Sequence, residues 1–120
     1  MATLTPTLTL KSTDITSDEL SFTVTKGLAI SAGKKVITNG RIPTATSSGV
    51  TFLASADYGK SYVYLRNIDT SITITIKHGS TTFATLAAEE FAFFPWDGAG
   101  NLVAVSASGT PVLEYAAIEA

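Results

Sequence analysis

Apolar and polar side chains alternate with a period of two through the middle of the chain, in Tyr62-Val63-Tyr64-Leu65-Arg66-Asn67-Ile68 and again in Ser71-Ile72-Thr73-Ile74-Thr75-Ile76-Lys77. Successive side chains of an extended backbone point to opposite faces, so Ile72, Ile74 and Ile76 share one face while Thr73 and Thr75 look the other way. A His78-Gly79-Ser80 turn, then Thr82-Phe83-Ala84, then Glu90-Phe91-Ala92-Phe93-Phe94-Pro95-Trp96 complete a block of half-buried sheet. Phe93 and Phe94 are consecutive and must put one ring on each face, so one of them needs cover from a loop or a partner.

Upstream, Thr3 to Lys11 places Leu4, Leu8 and Leu10 on one face with Thr between them. Pro6 interrupts the run and cannot donate to a ladder, which predicts an edge strand or an arm over residues 1–11, ahead of a domain over 12–120. Such an arm is suited to adding a strand to a neighbouring chain. Thr16-Ser17-Asp18-Glu19 has the form of a capping box, with Ile15 and Leu20 as its staple; one helical turn or an irregular loop both fit. Leu20, Phe22 and Val24 then resume the period of two. Asn39-Gly40 predicts a two-residue hairpin turn, because both residues tolerate positive φ, and Pro43 to Gly49 reads as a loop. Val50 to Ala54 predicts a strand. After Trp96 come an Asp97-Gly98-Ala99-Gly100-Asn101 turn, the run Leu102 to Val105, a Ser108-Gly109 turn and a closing run from Val112 to Ile118. About eight to ten short strands, with turns at sandwich-like spacing and no sustained helical period, predict an all-β fold. The expected architecture is a single antiparallel β-sandwich, jelly-roll-like in its connections.

Composition narrows the functional classes. Charged residues make up 15% of the 120 residues, below the roughly 25% of average soluble chains, and Thr and Ser fill the gap. Hydroxyls cost less to desolvate than ions, so this surface suits burial against other proteins. Net charge is -2 and the basic residues are scattered apart from Lys34-Lys35, which leaves no basic patch for nucleic acid. The absence of cysteine removes disulfides and thiolate chemistry. The N-terminus lacks the pattern of a signal peptide, and no run approaches a membrane span, so assembly in a cytoplasm without a membrane partner is expected.

Candidate chemistry is sparse. His78, the sole histidine, lacks a nucleophile elbow elsewhere and reads as a solvated turn residue. Glu89-Glu90 are neighbours on opposite faces and read as a charged turn rather than an acid–base pair. Asp97 to Asn101 has the glycines of a calcium loop but lacks its third-position ligand and its distant Glu, so a β-turn is expected, with no metal and no cofactor. Trp96 with Asp97 and Asn101 is open to two readings: a sugar-stacking site, or an indole lid on the core.

Three stretches carry a resemblance: Tyr62 to Ile68 ending in Arg66-Asn67-Ile68, Glu90 to Trp96, and Gly109-Thr110-Pro111-Val112-Leu113-Glu114-Tyr115. Together they resemble the small all-β virion proteins of tailed bacteriophages, over about the C-terminal half of the chain. The chain departs from that pattern at Ala87-Ala88-Glu89, where a glycine-containing turn is expected. The resemblance implies a non-enzymatic structural protein of the particle, located in the virion. It would be a capsid cement or decoration protein, homotrimeric in such families, that meets the major capsid protein or another virion protein. The alternative is a tail or fibre component that binds carbohydrate or a receptor. The candidate contact residues are Leu4, Leu8, Leu10, Tyr62, Tyr64, Phe94 and Trp96.

Overall fold

A computed structural model describes residues 2–14, 18–30, 36–43 and 48–120. The chain divides into two compact units, Met1–Ala32 and Gly33–Ala120. The predicted boundary after Lys11 falls inside a strand, and the first unit runs well past it.

That unit is a two-stranded ribbon. β1 (Ala2–Leu4) pairs antiparallel with β4 (Leu28–Ile30), and β2 (Thr7–Ser12) with β3 (Leu20–Thr25). Both pairings keep one register, Leu4 opposite Leu28 and Thr7 opposite Thr25. The ladder breaks over Thr5-Pro6, opposite Lys26-Gly27, where Pro6 has no N–H to give; its carbonyl still accepts from Lys26 N at 3.4 Å. Segment 2–12 therefore takes its strand partner from its own chain, where the sequence suggested a strand added to a neighbour. The capping-box residues Thr16 and Ser17, and Ile15, lie outside the described residues.

Over its described residues the second unit is all-β, with eight strands in two antiparallel four-stranded sheets. They are β5 (Val36–Pro43), β6 (Val50–Leu53), β7 (Ser61–Asn67), β8 (Ile74–His78), β9 (Thr81–Leu86), β10 (Phe91–Trp96), β11 (Leu102–Ser106) and β12 (Val112–Glu119). One sheet runs β10-β7-β12-β5 and the other β6-β11-β8-β9. Consecutive strands cross from sheet to sheet except at the β8–β9 hairpin. Val63, Leu65, Leu113 and Ala117 of the first sheet and Leu53, Ile74, Ile76, Leu102 and Ala104 of the second are buried in one shared cluster. The period of two seen in the sequence is thus the inner face of a sandwich.

Gly79-Ser80 forms the predicted tight turn, with Gly79 at φ 64°; a positive φ at the first central position suits a type II′ hairpin. Asn39-Gly40 is different. Both lie within β5, where Gly40 sits opposite Tyr115 and the register slips before Ile37 pairs with Ala117. The residues that suggested a hairpin turn instead occupy a strand beside an irregularity, which a flexible dipeptide also accommodates. The β9–β10 turn shows how the chain manages without the expected glycine. Glu90 N donates to Ala87 O at 3.1 Å, Glu90 Oε2 accepts from Ala87 N at 2.7 Å, and Glu89 takes φ 65°, the left-handed position where glycine is ordinarily found.

Candidate interaction surfaces

Alternation along β10 decides which aromatic rings are free. Ala92, Phe94 and Trp96 turn inward; Phe91, Phe93 and Pro95 turn outward. On β7, Ser61, Val63, Leu65 and Asn67 are buried, which leaves Tyr62, Tyr64 and Arg66 outside. The register aligns these residues in three rows with β12: Phe91, Arg66, Glu114; then Phe93, Tyr64, Ala116; then Pro95, Tyr62, Ile118. Phe91 is 61% exposed and Phe93 43%. Tyr64 Oη donates to Glu114 Oε1 at 3.3 Å. Burial, with the Glu114 carboxylate adding to it, raises the Tyr64 pKa above that of an ordinary phenol. Tyr64 therefore stays a neutral phenol at neutral pH, on a face that is aromatic and lightly charged.

The ribbon presents a second uncovered face. Leu8 is opposite Val24 and Leu10 opposite Phe22, so all four share a face, and they are between 45% and 62% exposed. The other face carries Thr7, Thr9 and Lys11 against Ser21, Thr23 and Thr25, with Thr25 Oγ1 donating to Thr7 Oγ1 at 3.2 Å. Toward the ribbon's base, on the same side as Leu8 by register, Leu4 and Leu28 are half-buried and Ile30 is buried. On this side the apolar residues are half-buried or buried at the base and bare beyond Pro6, with Pro6 opposite Lys26 between the two groups.

The contact candidates read from sequence separate accordingly. Leu8 and Leu10 are exposed on the ribbon and Leu4 is half-covered at its base; Tyr62 and Tyr64 lie together on the sheet face. Phe94 instead turns inward, its ring 4.8 Å from that of Phe83, and the outward ring is Phe93. Trp96 is 3% exposed. As the strand's last inward residue it closes the core, and its Nε1 donates to Gly100 O at 3.1 Å. It presents no indole face to a partner or a sugar. Asn101 is likewise engaged: its Oδ1 accepts from Ser55 N at 2.9 Å and from Ser55 Oγ at 3.1 Å. Of the two readings of Trp96, the core lid is the one observed.

His78 opens onto a cleft of about 190 Å³ beside Phe83, Phe94 and Asp97. Its Nε2 is 3.5 Å from Asp97 Oδ1, too long for a strong hydrogen bond, and that oxygen already accepts from Ala99 N at 2.9 Å. The remaining lining is aromatic and aliphatic; it brings no serine or threonine hydroxyl to the imidazole. No cluster of three metal-ligating side chains occurs among the described residues.

Sequence reasoning missed Asn67. It is fully buried at the end of β7, where its Nδ2 donates to Ile72 O at 2.7 Å and to Leu86 O and Ala87 O, both at 3.1 Å. Its Oδ1 accepts from Asp69 N at 3.0 Å. Asp69 Oδ1 in turn accepts from Ser71 N and Ile72 N, both at 2.8 Å, and these backbone bonds lower its pKa. The Asn at the end of the Arg66-Asn67 step thus ties three chain segments together. Its place after Val63 and Leu65 on the inward side was the available signal. Comparison with family models, characterised proteins and solved structures gives no match for this chain.

Proposed function

We propose that this chain is a non-enzymatic structural protein of a bacteriophage particle, a cement or decoration protein that acts as a homo-oligomer, a trimer being favoured, and sits on the capsid shell. The observation that carries the reading is the outer face of β10, β7 and β12, where Phe91 and Phe93 stand exposed beside Tyr62, Tyr64 and Arg66. Tyr, Phe and Arg are the residues enriched where one protein recognises another. The strand order, β5-β12-β7-β10 facing β6-β11-β8-β9, reads as an eight-stranded jelly roll, an architecture used by viral capsid domains and by lectins; this is support by fold analogy alone. The buried indole of Trp96 takes away the stacking platform on which the carbohydrate-binding alternative depended.

Shells of the parent phage lacking this protein provide the test. The chain is expected to co-sediment with them, and the Phe91→Ser/Phe93→Ser double variant to lose most of that binding while keeping its fold by circular dichroism. A variant that still binds like the parent chain would sink the reading, as would a parent chain that stays in the supernatant.

A further inference from the structure

The ribbon and the outer sheet face differ in a way that assigns them different partners. The sheet face mixes rings with Tyr hydroxyls and with the charges of Arg66 and Glu114. The bare part of the ribbon carries Leu8, Leu10, Phe22 and Val24, with Lys11 on the opposite face; charge on the apolar side stands at the two ends of this patch, Lys26 across from Pro6 and the Asp14 carboxylate, which accepts from Ser12 Oγ at 2.7 Å. Faces that meet a separately folded partner are only about as apolar as ordinary surface, whereas interfaces between copies of one chain are more apolar. The four large side chains between those ends carry no charge, so over that patch a copy meets its like with no like-charge penalty.

The geometry points to a second copy of this chain as the occupant of the ribbon's bare face, with ribbons packing apolar face to apolar face. Area supports a closed ring over a pair. Four side chains, each about half exposed, offer on the order of a few hundred Å² per copy, short of the ~800 Å² per partner of a standard interface. Three ribbons around one axis let each meet two others and bury more of each face. The inference shares with the shell-binding reading only the expectation of an oligomer.

The chain has no cysteine, so single cysteines report cleanly. Under mild oxidation, Leu10→Cys or Phe22→Cys is expected to form disulfide-linked dimers, and Thr9→Cys or Thr23→Cys on the opposite face to remain monomeric on a denaturing gel. Light scattering of the unaltered chain is expected to give a small multiple of 12.5 kDa. Phe22→Asp should weaken association roughly tenfold or more, the worth of losing one buried aromatic, and Thr9→Lys should leave it unchanged. A 12.5 kDa mass for the unaltered chain at tens of micromolar, or equal cross-linking from both faces, would overturn the inference. The cysteine result stands even if Phe22→Asp misfolds. Association without shell binding would sink the capsid reading and leave this one intact; shell binding by a monomer would do the reverse.

Discussion

The two units reach order by different routes. The sandwich closes two sheets over side chains such as Val63, Leu65, Ile74 and Ile76, all fully buried, and so carries its own core. The ribbon has the same period-two pattern, yet its tip places Leu8, Leu10, Phe22 and Val24 in the open. An isolated two-stranded ribbon is marginal in water, because one layer of sheet has nothing to close against. Identical patterning therefore closes a core in one unit and leaves an apolar face bare in the other.

The sharpest way to break this comparison is to cut each apolar face in turn. Leu65→Ala or Ile76→Ala should cost about 3 kcal/mol in denaturant unfolding, by lost burial plus a cavity, and by the same amount at low and high protein concentration. Phe22→Ser should move the sandwich transition by less than ~1 kcal/mol while abolishing any concentration dependence of the midpoint. Equal effects from both substitutions would mean that the ribbon is part of the sandwich's own cooperative unit. Asn67→Ala comes next, at about 2–3 kcal/mol, since it removes the donor from three carbonyls in a buried setting; a loss below ~1 kcal/mol in the same titration would show that water replaces it.

Substitution on the outer sheet face should separate binding from stability. Phe93→Ser is expected to leave unfolding within ~0.5 kcal/mol of the parent, yet to reduce shell affinity roughly tenfold or more if that ring anchors the contact. A smaller gain is expected at the β9–β10 turn. Glu89 holds φ 65° where Gly79, in the neighbouring hairpin, holds φ 64° with no Cβ to strain. Glu89→Gly should therefore stabilise the sandwich by about 0.5–1 kcal/mol, the left-handed penalty being larger than the added chain entropy. A destabilised variant would show that the carboxylate matters more than the backbone.

Most strands of the sandwich were legible because burial on one face writes a period of two directly into the sequence. What stayed hidden were places where the ladder slips. Phe52 and Leu53 are both buried although consecutive, because the register shifts one residue where Leu102 pairs with Leu53 and Val103 with Thr51. Phe83 is likewise the extra residue between the Ile76–Ala84 and Lys77–Thr82 pairs, and a bulge re-aims a ring in a way alternation does not foretell. The ribbon failed differently: both of its strands were visible as patterns, but pairing is a non-local choice that neither pattern states. Of the interaction surfaces, Tyr62 and Tyr64 were readable from β7 alone; that Phe93 joins them while Phe94 does not depended on the phase of β10.

The smallest effect concerns Asp69, in the loop that Asn67 anchors. Its carboxylate accepts backbone bonds from Ser71 and Ile72, which favour the charged form and hold its pKa below the ordinary 3.8. Because the folded value lies below the unfolded one, the unfolded chain binds the proton more readily. The stabilisation is then fully present above about pH 4 and is lost as pH falls through the lower, folded value. Asp69→Asn should flatten the parent chain's decline in melting temperature between pH 5 and pH 2 in the sandwich transition, and leave ribbon cross-linking through Leu10→Cys untouched. An unchanged pH profile would mean that the loop is held by Asn67 alone, with the carboxylate a passenger.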